Sequence, residues 1–295
     1  MTHTVPSYAR EFRRIVEGFR YNRGIRDIFI DWLDIAACAV HQEPYHLGMA
    51  PRDEAFDTVE AQYLASVKKY TRDELDAFAK LLALTKMALR TEKSDFLGQL
   101  YMELEISQDR SGEFFTPFSV SLMITHMMLD DVATQIEEKG FITVAEPACG
   151  GGGMLIAAAK VIEAAGFAPG EVMFFDATDI SKPCCDMAYI QTSILGLSGI
   201  VRHGNSLSLE ARSHRFTPMC RLFPDRTRRF LDSLMPDATE AETKVADSEH
   251  SPPTQEPVKR PAAQAEPQEV ATSEPEPLPT SEKKPEADPL GNLFY

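Results

Sequence analysis

The chain has 295 residues, 43% of them apolar with a single tryptophan, which allows one good-sized core with a small helical region beside it. Its formal net charge of −15 excludes a uniformly basic, free-standing nucleic-acid binder, but the excess is uneven: thirteen acidic and five basic residues follow from Asp237 onward, leaving −7 on residues 1–236. Five cysteines without disulfide or zinc spacing, no signal-like start and no apolar run near the ~20 residues of a membrane span predict a cytoplasmic protein with neither metal nor membrane partner.

From Ser7 to about Gln42, Phe12, Ile15, Val16 and Phe19, then Ile28, Phe29, Trp32, Leu33 and Ile35, recur at three-to-four spacing and predict helix. Thr71 followed by Glu74 is a capping box, opening a helix through Leu75, Phe78, Leu81, Leu82 and Met87. Asp95 to about Ile106 is a further helical stretch, and no strand is expected before residue 140. Residues 1–106 therefore read as a helical N-terminal region.

The pattern then changes. Ile142-Thr-Val-Ala145 is a short β-branched run that ends in Glu146-Pro-Ala-Cys-Gly-Gly-Gly-Gly153. Met154–Ala165 is Ala-rich and helical, and Val172-Met-Phe-Phe175 is a second buried strand ending near Asp179. Pro183–Leu197 is helical, and Gly199–His203 is a third strand, followed by Gly204-Asn205. Strand, glycine loop, helix, strand, acid, helix, strand is the order of a parallel α/β sheet, with ligands at the carboxyl ends of its strands. From Asp237 to Tyr295, Pro, Glu, Ala, Ser and Thr dominate, which predicts a disordered acidic tail.

Glycines after a strand let the backbone turn tightly and approach a ligand, while the following helix offers open N–H groups. Such a loop alone also suits a nicotinamide cofactor. The discriminating residue is Glu146 beside it, because a carboxylate repels a pyrophosphate and pairs with the ammonium of a methionine moiety. Asp179, one βα unit later, stands where a carboxylate accepts hydrogen bonds from ribose hydroxyls.

Gly112-Glu-Phe-Phe-Thr-Pro117, Glu146-Pro-Ala-Cys-Gly-Gly-Gly-Gly-Met-Leu155, Asp179-Ile-Ser181 and Gly204-Asn-Ser-Leu207 together resemble the successive motifs of the N6-adenine DNA methyltransferases. The modification subunits of type I restriction-modification systems are the nearest likeness, and Asp95–Tyr101 resembles the helix preceding their first motif. The resemblance implies a shortened Rossmann-like S-adenosylmethionine-dependent methyltransferase fold over residues 107–236. It implies that Glu113, Phe114, Phe115, Thr116 and Pro117 cover the methionine part of S-adenosylmethionine. Glu146, Pro147, Ala148, Gly150, Gly151 and Gly152 hold its amino acid end, Asp179 and Ile180 its ribose, and Asn205 its adenine. Asn205 stands where the family usually has Asp, and keeps a carbonyl acceptor for the adenine amino group.

The family's Asn- or Asp-Pro-Pro-aromatic turn, which accepts the hydrogens of the target amine and stacks the flipped base, is not found, so no catalytic residue is identified. Phe216-Thr-Pro-Met219 and Phe223-Pro-Asp225 are proline turns that lack its pattern. Arg212, Arg215, Arg221, Arg228 and Arg229, expected on a helix-like end of the domain, are candidates for contact with DNA or a partner. Two functions stay open: an adenine-N6 DNA methyltransferase homologue of a restriction-modification or mobile-element system, or an inactive methyltransferase-like protein. The first implies DNA, reached alone or in a complex, and a specificity or restriction subunit as partners. The second binds a partner subunit or interferes with one.

Overall fold

A computed structural model of the chain describes residues 4–19, 23–104 and 115–234. The acidic tail from Asp237 and the segment carrying Glu113 and Phe114 lie outside the described residues.

Five helices come first: α1 (Val5–Gly18), α2 (Ile25–His46), α3 (Glu54–Val67), α4 (Arg72–Thr91) and α5 (Phe96–Glu103). The stretch that reads as one helix to Gln42 is two, because Gly24 takes extended backbone (φ −63°, ψ 139°) as the N-cap of α2. The capping box at the start of α4 forms: the Thr71 N–H donates to Glu74 Oε2 at 2.7 Å and the Glu74 N–H to Thr71 Oγ1 at 3.4 Å. Helix α3, whose apolar spacing is weak, is fastened by Asp53, which accepts from the Phe56 N–H at 2.9 Å. The periodic aromatic residues meet in one cluster, with Phe12 edge-on to Trp32 (5.0 Å between centroids) and to Phe96 (6.0 Å). Trp32 is fully buried and its Nε1–H donates to the Phe78 carbonyl at 3.1 Å, so it adds apolar area without stranding its polar atom.

Two helices absent from the sequence reading, α6 (Phe118–Met128) and α7 (Val132–Lys139), lead into β1 (Ile142–Glu146). Helix α6 is apolar nearly all round, with Met123, Met127 and Met128 more than half exposed, so it carries no one-sided stripe for periodicity to detect. Then follow α8 (Gly153–Ala164), the single-turn α9 (Pro169–Val172), β2 (Met173–Asp179), α10 (Lys182–Ile194) and β3 (Ser198–Asn205). Strands β1, β2 and β3 are parallel neighbours in that order, with Glu146 opposite Ala177 and Asp179 opposite His203. The carboxyl ends of the three strands therefore lie together.

The sheet has helices on both faces. Met173, Phe175, Ala177 and Val201 share a core with α8, α10 and the N-terminal helices. Their alternating neighbours Phe174 and Ile200 pack instead against Cys220 and Phe230. Those two residues belong to α11 (Pro218–Leu222) and α12 (Pro224–Leu234).

One expectation is corrected. Residues 210–216, which include Arg212 and Arg215, are not helical but form β4 (Glu210–Phe216), antiparallel to β3 with Phe216 opposite Ile200. As the edge of the sheet its first five residues are exposed, so it shows no apolar alternation and only its pairing with β3 makes it a strand.

Candidate functional site

The loop between β1 and α8 decides the shape of the site. Gly150 and Gly152 have φ of +51° and +92°, a region that side chains rarely adopt. Contact adds to this: a Cβ on Gly150 would meet the Phe115 ring at 3.4 Å, and one on Gly152 would meet Ala188 Cα of α10 at 3.2 Å. The loop is pinned to β2 by the Cys149 N–H, which donates to the Thr178 carbonyl at 3.0 Å, and closes on itself where Gly152 N–H donates to the Cys149 carbonyl at 2.8 Å.

Against this loop lies a cavity of about 220 Å³ at the carboxyl end of the sheet, lined by Phe115, Thr116, Ser121, Ala148, Cys149, Gly150, Gly151, Met154, Cys184 and two acids, Asp95 and Asp179. Among the described lining residues those two are the only carboxylic acids, and none is basic. Asp179 accepts the Gly150 N–H at 2.8 Å and the Ser181 N–H at 2.9 Å, so its carboxylate ties the glycine loop to the start of α10. Phe115 stacks on Tyr101 (5.5 Å, 13°), which holds its ring over Gly150.

Of the residues named from sequence, Phe115, Thr116, Ala148, Gly150, Gly151 and Asp179 line the cavity, and Gly152 is packed behind the loop. Pro117, Glu146, Pro147, Ile180 and Asn205 are not among its lining residues. Pro117 is the exposed N-cap of α6, and Ile180 is 60% exposed beside Asp179. Glu146, half-buried at the end of β1, accepts the Ala148 N–H at 3.2 Å and has no ion-pair partner among the described residues. Asn205 closes β3 and accepts the Leu207 N–H on Oδ1 at 2.9 Å.

From sequence Asp95 stands as the first residue of the helix that resembles the one before the first motif, and not as a site residue. It is the N-cap of α5, 5% exposed, and accepts on Oδ1 from the Gly98 N–H (2.9 Å) and from Gln191 Nε2 (2.8 Å). Burial pushes its carboxyl above the usual carboxylate range, against those two donors. Gln191 of α10 is wholly buried; it also donates to the Gly151 carbonyl (2.7 Å) and accepts from the Leu97 N–H (3.0 Å). The signal in the sequence was Gly98, a glycine in the first turn of a helix. A Cβ there would overlap the Asp95 carboxylate.

The arginines differ in what they contact. Arg215 has its guanidinium over the buried Tyr189 ring, 5.0 Å from the centroid. Arg221 pairs with Asp53 and lies over Tyr45. Arg212, Arg228 and Arg229 are exposed and enter no ion pair among the described residues. The proline turns sit away from the cavity. Thr217 N–H donates to the Gly199 carbonyl at 3.0 Å and Arg226 of α12 reaches Ser198 Oγ at 3.5 Å, both at the start of β3. Gly199 lies four residues, or about 13 Å, before the level of Asp179. Of the two cysteines at the start of α10, both are buried, and burial pushes the Cys185 thiol up to about 12.

No helix of the described residues is long and apolar enough to cross a membrane. No curated protein and no solved structure matches the chain. The family model described as N-6 DNA Methylase matches residues 93–218, a span from the approach to Asp95 through β4.

Proposed function

We propose that this chain binds S-adenosylmethionine in the cavity beside the glycine loop and is an adenine-N6 DNA methyltransferase homologue of a restriction-modification or mobile-element system. The observation that carries the reading is the charge of that cavity: two carboxylates and no basic side chain among the described lining residues. A diphosphate would be repelled there, whereas a sulfonium amino acid brings the positive charges such a site lacks. The glycine loop and the first turn of α8 present N–H groups to the amino acid's carboxylate. Asp179 stands next to the ribose, with Ile180 beside it. The Phe115 ring, braced by Tyr101, covers the methionine chain together with Thr116. Asn205 keeps one acceptor direction on Oδ1 beyond its bond to Leu207. When bound, the cofactor supplies an activated methyl group, and the protein's part is to orient the reacting groups and accept the amine's hydrogens.

In this reading residues 1–106 form a helical region, 107–236 the cofactor domain and 237–295 an acidic tail. DNA is engaged alone or through a complex with a specificity or restriction subunit, and the exposed Arg212, Arg228 and Arg229 are available to it. Arg215 and Arg221 are committed to contacts within the fold. A second reading, a methyltransferase-like protein that has lost catalysis and binds or interferes with a partner subunit, is favoured by the proline turns. Neither carries the Asn/Asp-Pro-Pro-aromatic pattern, and both are held at the far end of β3.

Two experiments test this. Calorimetric titration should show S-adenosylmethionine binding and no NADH binding; tight NADH binding alone overturns the assignment. Methyl transfer to unmethylated DNA then separates the two readings, since label at adenine N6 eliminates the inactive one.

A further inference from the structure

Of the two carboxylates in the cavity, Asp179 has both oxygens engaged by backbone N–H groups of its own fold. Asp95 does not. Its Oδ1 takes both of its hydrogen bonds, from Gly98 and Gln191, and Oδ2 has no donor among the described residues. The carboxylate faces the glycine loop: a Cβ on Gly151 would meet Oδ1 at 2.7 Å and Oδ2 at 3.1 Å, and one on Gly153, the first residue of α8, would meet Oδ2 at 3.3 Å. Side chains at either position would crowd the carboxylate; glycines leave room beside it where Asp95 lines the cavity. A carboxylate that is 5% exposed, with no ion-pair partner and no donor to Oδ2 among the described residues, is an acceptor waiting for positive charge from a ligand. The ammonium and carboxylate of an α-amino acid share one carbon. An amino acid whose carboxylate rests on the first N–H groups of α8 therefore brings its ammonium within reach of an acceptor beside Gly151 and Gly153.

We propose that Asp95, and not the outlying Glu146, is the carboxylate that receives the α-ammonium group of the bound adenosyl amino acid, a role resting on the S-adenosylmethionine reading above. Asp95 thereby makes the site select ligands with a protonated amine over those that lack one, while Glu146, half-buried at the strand end, adds negative potential at the mouth.

The test is calorimetric binding of S-adenosylmethionine, S-adenosylhomocysteine and the deaminated analogue of the latter, which keeps the carboxylate and lacks the amine. Wild-type protein should prefer S-adenosylhomocysteine over the deaminated analogue by about tenfold or more, the scale of one charge-assisted hydrogen bond. Asp95→Asn, isosteric and still able to accept from Gly98 and Gln191, should reduce that preference to within about twofold. An undiminished preference in Asp95→Asn, or none in the wild type, overturns the assignment of Asp95 while leaving cofactor binding intact. Binding of neither S-adenosylmethionine nor S-adenosylhomocysteine to the wild type overturns the cofactor reading itself, and this inference with it. Should Asp95→Asn fail to fold, as judged by circular dichroism, Glu146→Gln decides. A preference kept in that variant supports Asp95, and a preference abolished there transfers the role to Glu146.

Discussion

Gln191→Leu removes a side chain that joins α10, α5 and the glycine loop. Its amide makes three hydrogen bonds of 2.7–3.0 Å in a wholly buried position: two donated, to Asp95 Oδ1 and the Gly151 carbonyl, and one accepted, from the Leu97 N–H. Leucine fills nearly the same volume, so the change is in polarity and not in packing. It leaves the Leu97 N–H and the Gly151 carbonyl without partners away from water, at about 1–3 kcal/mol for each buried group so stranded. Asp95 keeps only the Gly98 N–H as a donor, which adds a third loss. The sum is about 3–9 kcal/mol, a large share of the roughly 5–15 kcal/mol that holds a domain together. Urea unfolding followed by circular dichroism should show an unfolding free energy lowered by that amount, read as a lower midpoint at unchanged slope. S-adenosylmethionine affinity should fall with it, because Gly151 loses its anchor. A loss below about 1 kcal/mol at constant slope refutes the bridging role assigned to Gln191. Gln191→Glu sharpens the result: it sets a second carboxylate against Asp95, so its penalty should be greatest at neutral pH and ease on acidification as the buried pair takes up a proton.

Asp179→Ala should weaken S-adenosylmethionine binding by roughly 1–3 kcal/mol in calorimetry, through lost ligand bonds and the released Gly150 and Ser181 N–H groups; unchanged affinity removes Asp179 from the site. Gly152→Ala combines about 1–2 kcal/mol of backbone strain at φ +92° with about 1–3 kcal/mol of crowding against Ala188 Cα. Its thermal midpoint should drop by about 5–10 °C, and an unaltered midpoint contradicts the packing of the loop on α10. His41 is kept neutral, its pKa lowered to about 3 by burial and then by the nearby Arg215 and Arg221. Between pH 6.5 and about 3 the unfolded chain takes up a proton that the folded one refuses, so stability is lost as pH falls through that window. The loss is on the order of a few kcal/mol. His41→Gln should flatten this acid limb of the unfolding free energy, and an identical pH profile removes His41 from the cause.

Local patterns were readable along the chain, and their limits have identifiable causes. The aromatic repeat of α1 and α2, the capping box of α4 and the strand–glycine–helix order around Glu146–Gly153 each depend on neighbours within a few residues. Helix α6 escaped because its apolar residues surround it, and β4 because an edge strand exposed along most of its length has no alternation. Both acquire their character from what they pack or pair with. The same holds for the candidate site. Phe115, Thr116 and the glycines were legible as motif residues, but Asp95 was not, since its place in the cavity depends on a contact with Gln191 across 96 residues.

Sequence alone therefore determined the helical first third, the three parallel strands and the presence of a glycine loop flanked by acids, all consequences of periodicity and backbone preference. Only the tertiary structure decided which acids line the cavity, which arginines are spent on Tyr189 and Asp53, and that the proline turns lie at the start of β3, away from the cavity. Those are relations between segments far apart in the chain. They are set by close packing and hydrogen-bond satisfaction in three dimensions, which no local pattern encodes.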